Sequence, residues 1–298
     1  MNIDLVVPKT TFWQPRIEMI NPVKDERVAR DLEARFLYAT INAFGQLAAV
    51  TGALLAAVVL IHFFGWRAGL LVVIGAALFG LWVVYEQSAQ HDRIRAAVLD
   101  NALRMMEREK LTFDETVDKV IFAIKLNMAI GLAGTAALLA GFAAVAVRAR
   151  PKDLDDADAM ARQLRLRLHY LTLLVLVGAA ILVLLVAANK VLLAWPQGMM
   201  KPEAAKAYGV LASAVANYWG GLGTGILLCT LMPAVISIKA DIDKASGARG
   251  VDFSAQEKWR KENGLEVAPS SALATAATAA APLLTGPVID IVSAFVKG

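Results

Sequence analysis

Few side chains in this sequence have the type and spacing that chemistry needs. The densest group is YWGGLGTG at Tyr218–Gly225, which sets Gly220, Gly221, Gly223 and Gly225 within six positions. A glycine run of this kind serves one of three purposes. A phosphate cradle requires GxxxxGK[ST] after a strand, with the lysine reaching the phosphates. No lysine is present here, and the dinucleotide spacing GxGxxG is not matched either. An ion filter requires an irregular loop whose carbonyls replace the water around the ion, and GGLGT is able to form one. The third purpose is contact. Gly221 and Gly225 stand four apart, a spacing that lets a neighbouring helix approach closely. Packing or a bend is therefore the expected role, ahead of a filter.

Other reactive candidates are sparse. His62, His91 and His169 all stand at the ends of apolar blocks, with neither HExxH nor a histidine pair at i,i+4 to argue for a metal. Cys229 is the single cysteine, so a cysteine-cluster metal site and an internal disulfide are excluded. There is no GxSxG, and no apolar block contains Asp or Glu. Intramembrane proteases and proton-coupled carriers ordinarily need such groups, so neither these activities nor a cofactor is expected. Among the polar residues that enter the blocks, Asn42 and Gln46 stand at i,i+4. They either line a path or hydrogen-bond between helices, and the second is the expectation.

The elements that must position these residues follow from composition. The chain of 298 residues is 58% hydrophobic and 19% charged, more apolar and less charged than a soluble domain. The excess falls in long uncharged blocks, the mark of membrane spans. Phe36–Ile61 is the first, 26 residues long; about 20 suffice to cross the hydrocarbon. The second is Leu70–Tyr85, with Trp66 at one end and Trp82 and Tyr85 at the other as interfacial aromatics. Tyr170–Asn189 carries twelve Leu, Ile or Val residues. At about −0.3 to −0.6 kcal/mol each, they contribute on the order of −4 to −7 kcal/mol to insertion. The 32 residues Ala207–Ile238 are too long for one upright span. They divide into a weakly apolar interfacial stretch and a crossing at Tyr218–Ile238, with a kink expected at Pro233.

Met128–Val147 is ambiguous. It is 20 residues long and uncharged, but mostly Ala and Gly. Gly134 and Gly141 fall on one face, as close packing requires. Lys and Arg before the first span and in the second connection place the N-terminus and that connection in the cytoplasm. The next connection carries Arg148, Arg150, Lys152, Arg162, Arg165 and Arg167. If Met128–Val147 crosses, these cations lie outside, against the charge rule; if it is re-entrant, they lie inside. Length favours crossing, and both arrangements stand at this point.

The expected fold is an all-α polytopic membrane protein of four or five spans with cytoplasmic helical extensions. Residues 1–35 form a cytoplasmic segment without a secretory leader, and 36–85 a transmembrane hairpin. Residues 86–125 form a cytoplasmic helical hairpin turning near Lys110–Thr112, with Ile94, Val98, Ala102 and Met105 on one face and Val117, Val120, Ile121 and Ile124 on the other arm. Residues 126–147 are the ambiguous helix, and 148–169 an amphipathic basic connection with a seam at Leu154, Ala157, Ala161, Leu164 and Leu168. Residues 170–238 hold two spans. Residues 239–298 form a polar linker and an amphipathic tail that lies on the membrane or plugs a groove. Expected partners are the lipid bilayer, further copies of the chain, and a cytoplasmic protein held by 91–125 and 154–168. The net charge of +4 comes without a nucleic-acid recognition motif, so no nucleic acid is expected. The functional expectation is a non-enzymatic oligomeric pore, channel or scaffold of the inner membrane, with a small-solute transporter as the alternative.

Overall fold

The computed structural model describes residues 26–89, 99, 102–104, 117–147, 157–200, 202–247 and 252–265. Among them there is no strand. Five long helices follow one another: α1 (Glu26–Phe64), α2 (Trp66–Ala89), α3 (Val117–Ala146), α4 (Ala157–Ala194) and α5 (Pro202–Gly247). A 3-10 turn, Trp195–Met199, joins α4 to α5, and a short helix α6 (Phe253–Glu262) follows. All five long helices are long and apolar enough to cross a membrane. The protein is thus an all-α polytopic membrane protein.

Each long helix has a long uncharged stretch, which in four of them is bracketed by charged residues or histidine. Arg35 and His62 bracket it in α1, Arg67 and Glu86 in α2, His169 and Lys190 in α4, and Lys206 and Lys239 in α5. At about 1.5 Å per residue, twenty residues match a hydrocarbon core roughly 30 Å thick. The helices exceed that length, so they continue past the apolar zone. Five successive passes along the bundle put the start of α1 at one face of it, here the first face, and the end of α5 at the second. The α1–α2 link is a single residue. Gly65 has φ +88, a left-handed conformation that costs glycine nothing. Its N–H closes α1 on the Ile61 carbonyl, and its carbonyl accepts from Ala68.

The ambiguous Ala/Gly-rich block lies in a continuous helix long and apolar enough to cross. α3 is unbroken for 30 residues, and it touches all four other long helices. Small residues let it approach those neighbours closely. A Cβ on Gly134 would stand 2.6 Å from both the Cβ and the carbonyl oxygen of Ala49, and one on Gly141 would stand 3.1 Å from the Cβ of Ala56. Both members of each pair advance by seven residues, so α1 and α3 run parallel, in register over two turns.

The long uncharged block Ala207–Ile238 forms no glycine loop, because α5 is one helix of 46 residues with Pro233 inside it. The polar stretch from Lys239, read as linker, continues that helix through Gly247.

Two apolar cores result. The larger fills the bundle, with Val59, Phe142, Leu174 and Leu231 wholly buried. The smaller lies toward the first face, where Tyr38, Leu103, Ile124, Leu192 and Trp195 converge. Leu99, Leu103, Ile121 and Ile124 from 86–125 join it, on the face where α1 begins. Of the described residues 99 and 102–104, Leu99, Ala102 and Leu103 are buried; Ile94, Val98, Met105 and the expected turn lie outside the described residues. On α4, Ala161 and Leu164 of the expected seam are buried in the chain's own bundle.

Candidate functional site

The last turns of α5 carry the sequence SIKADIDKAS, Ser237–Ser246. Ser237 and Asp241 stand at i,i+4 and share one helix face; Asp243 and Ser246 stand at i,i+3 on another. Each face holds one arginine.

The inner site is built on Arg167 of α4. Its Nη1 donates to Asp241 Oδ2 at 2.6 Å, and its Nε donates to the Val145 carbonyl at 2.9 Å. Nη2 reaches the Ala146 carbonyl and Ser237 Oγ, each at 3.4 Å, and Ser237 Oγ donates to the Ala146 carbonyl at 2.6 Å. The last carbonyls of a helix have no partner within it and carry the negative end of its dipole. Arg167 and Ser237 satisfy those of α3, and Asp241 balances the charge brought in to do so. Arg167 and Asp241 are 4% and 3% exposed. The arrangement ties the end of α3 to α4 and α5 at one level and leaves the guanidinium committed in several directions. It is chemistry suited to holding rather than turnover.

The outer site fastens α6. Arg260 Nη2 donates to Asp243 Oδ1 at 3.1 Å and to Ser246 Oγ at 2.9 Å. α6 is a capped unit. The Asp252 carboxylate accepts from the Ser254 N–H and hydroxyl at 3.1 and 2.8 Å. The side-chain bond to Ser254, then the backbone one, hold this carboxyl below its ordinary range. At the other end the Leu265 N–H bonds the Arg260 carbonyl, the Gly264 N–H bonds that of Lys261, and Gly264 has φ +60. This is a Schellman motif with glycine at the left-handed position. It turns Leu265, 1% exposed, into the large core.

The polar residues expected to line a path or bridge helices do the second. The Gln46 side-chain amide donates to Asn127 Oδ1 on α3, and the buried Tyr38 hydroxyl shares a hydrogen bond with the same Asn127. Asn42, one turn earlier, is half-buried. At the first face Arg35 lies over the Trp195 ring, 5.2 Å from its centroid.

The glycine cluster divides in two. A Cβ on Gly220 would meet Val186 of α4 at 3.2 Å, and one on Gly223 would meet Leu182 at 2.7 Å. Gly221 and Gly225, the pair with GxxxG spacing, have nothing within 4 Å of such a Cβ. Packing is thus the role of Gly220 and Gly223, while Gly221 and Gly225 are exposed on the outer side of α5. All four lie within continuous helix, whose carbonyls are engaged by the helix itself, so no filter loop forms.

Sequence reasoning passed over Arg167 and Asp241. The arginine was one of six cations in a connection, and the aspartate lay in a polar tail. The available signal was Ser237 and Asp241 on one face, at the same depth as an arginine opening the preceding span. The caps of α6, Asp252 and Gly264-Leu265, were also in view. No group of three or more His, Cys, Asp or Glu that could hold a metal occurs among the described residues.

Fold and site together define a class: a helical multi-pass membrane protein whose buried polar groups join helices. No known protein family matches the chain, and no curated protein or solved structure is significantly similar to it.

Proposed function

We propose that this chain is a non-enzymatic assembly protein of the membrane. It acts as a closed five-helix unit that self-associates, and any aqueous path lies between copies rather than through one. The observation that supports this reading is how the interior is used. The bundle is filled by apolar side chains, and the half-buried pair Gln46–Asn127 and the buried pair Arg167–Asp241 are each engaged with one another. A carrier keeps a polar site near mid-membrane for its cargo; these groups serve helix ends and helix pairs instead.

The proposal places the protein in the plasma (inner) membrane with the N-terminus cytoplasmic, from the cations that precede α1 and fill the second connection. Because α3 crosses, segments 91–125 and 154–168 fall at opposite faces. The cytoplasmic partner surface is then 91–125.

Three measurements test this. The mass of the detergent-solubilised protein is expected to exceed that of one chain; a strict monomer in both detergent and nanodiscs overturns self-association. In liposomes, ion flux is expected to be unchanged by Asn42→Leu and Gln46→Leu, and a clear change in conductance refutes the closed bundle. A topology reporter at Ala157 is expected on the side opposite the N-terminus; the same side defeats five crossings.

A further inference from the structure

A layer of asparagines separates the two apolar cores. Gly134 of α3 packs on Ala49 of α1, and seven residues from each toward the first face stand Asn127 and Asn42. Gly178 of α4 packs on Leu138 of α3, and eleven residues from each stand Asn189 and Asn127. Gly220 of α5 packs on Val186 of α4, and three residues from each stand Asn217 and Asn189. Gly80 of α2 packs on Ala133 of α3, and five residues from each stand Tyr85 and Met128, next to Asn127. Four asparagines and Tyr85 therefore share one level across the five long helices, and each asparagine is half-buried. Every buried member of the smaller core except Ala188 lies beyond this level toward the first face. No buried member of the larger core does.

Twenty residues from this layer toward the second face, the same helices reach His62, the Gly65 turn, Val147, His169 and Ser237. The His62 and His169 rings stand there beside Tyr170, at 5.8 and 6.2 Å between centroids. Twenty residues rise roughly 30 Å, the thickness of a hydrocarbon core. Between the two layers Arg67, close to the Gly65 turn, is the single charged residue in the five helices, and its long stem lets the charge reach water. The uncharged stretches of α1 and α5 overshoot this slab, since they begin at Phe36 and Ala207. Hydrocarbon drawn out to cover that excess takes in Lys125 and the exposed Lys190 as well, and cations are costly in lipid. Ended at the asparagines, it leaves both lysines, Tyr85 and Tyr218 at headgroup level, where cations and amphipathic rings are favoured. The segments beyond then stand in water and need apolar burial of their own. The smaller core, with buried Arg35 over the Trp195 ring, supplies it.

We propose that the bilayer holds the chain between these two layers, its first-face headgroups beginning at Asn42, Asn127, Asn189 and Asn217, and that the smaller core is the centre of a helical head standing in water. The inference rests on the five crossings proposed above and not on self-association. The test uses exposed positions in a Cys229→Ser background, one cysteine at a time: Phe36→Cys and Val210→Cys in the head, Tyr218→Cys at the layer, Leu54→Cys and Ile226→Cys between the layers. Each is labelled with an environment-sensitive fluorophore, and the full-length protein is reconstituted in phosphatidylcholine–phosphatidylglycerol vesicles. Quenchers are lipid spin-labelled at the headgroup, lipid spin-labelled at the acyl-chain end, and iodide on both sides of the membrane. Leu54 and Ile226 are expected to be quenched most by the acyl-chain label, and Tyr218 most by the headgroup label. Phe36 and Val210 are expected to be quenched by iodide, and by the acyl-chain label several-fold less than Leu54 and Ile226. Acyl-chain quenching of Phe36 or Val210 equal to that of Leu54 and Ile226 overturns the proposal while the crossings stand. So does protection of either from iodide, or strongest quenching of Tyr218 by the acyl-chain label. Absence of lipid quenching at both Leu54 and Ile226 defeats the crossings themselves, and the proposal with them.

Discussion

Replacing Asp241 by alanine tests the account of the inner site most directly. The aspartate is 3% exposed and its Oδ2 lies 2.6 Å from Arg167 Nη1. Its removal leaves a guanidinium held in place by the Val145 and Ala146 carbonyls with its neutralising carboxylate gone. Breaking a buried pair in this way costs about 3–5 kcal/mol. The double replacement Arg167→Met/Asp241→Leu removes the stranded charge as well. It still uncouples the α3 carbonyls, but Ser237 Oγ continues to serve Ala146, so chiefly Val145 loses its side-chain donor. One unmet buried acceptor costs about 1–3 kcal/mol. The double variant is therefore expected to be more stable than Asp241→Ala alone, by about 2 kcal/mol from the difference of those ranges. Reversible unfolding in mixed micelles, read by tryptophan fluorescence and circular dichroism, measures both. A double variant as unstable as Asp241→Ala, or an Asp241→Ala protein within about 1 kcal/mol of the parent, refutes the view that the aspartate is there to neutralise Arg167.

Gly134→Ile drives a side chain into Ala49 backbone and is expected to destabilise by at least the 1–3 kcal/mol of ordinary overpacking, whereas Gly225→Ala, which meets nothing within the chain, is expected to change monomer stability by no more than about 1 kcal/mol; the same unfolding assay compares them. Gln46→Leu is expected to cost on the order of 0.6 kcal/mol, an average interhelical hydrogen bond in a membrane, and a loss several times larger contradicts a simple bridge to Asn127. The Asp252 carboxyl is more acidic in the folded cap than in the open chain. Its contribution to α6 is therefore full above the ordinary value of 3.8 and falls away as pH drops through the lower folded value. Amide exchange in 253–262 is expected to rise in that acid window before the transmembrane helices respond, and Asp252→Asn to blunt the rise.

How far the fold was legible depends on the solvent each segment meets. Tyr170–Asn189 was plain because Leu, Ile and Val at that density have one reading, and α4 contains all of it. The ambiguous block was ambiguous for a reason visible in the structure. Its composition leaves crossing and re-entry both open, and Gly134 against Ala49 records a helix–helix distance that no single segment encodes. The same applies to the glycine cluster. Spacing alone pointed to Gly221 and Gly225, while contact with α4 selected Gly220 and Gly223, because the rotation of α5 about its axis is set by its neighbours.

The sequence by itself determined that this is a helical protein of the bilayer, since the free energy of placing each apolar block is nearly a sum over its own residues. The tertiary structure alone decided which polar residues meet. Arg167 and Asp241 lie 74 positions apart, and Gln46 and Asn127 lie 81 apart. A hydrogen bond depends on position in three dimensions to within a few tenths of an ångström, and that position is set by the packing of all five long helices together.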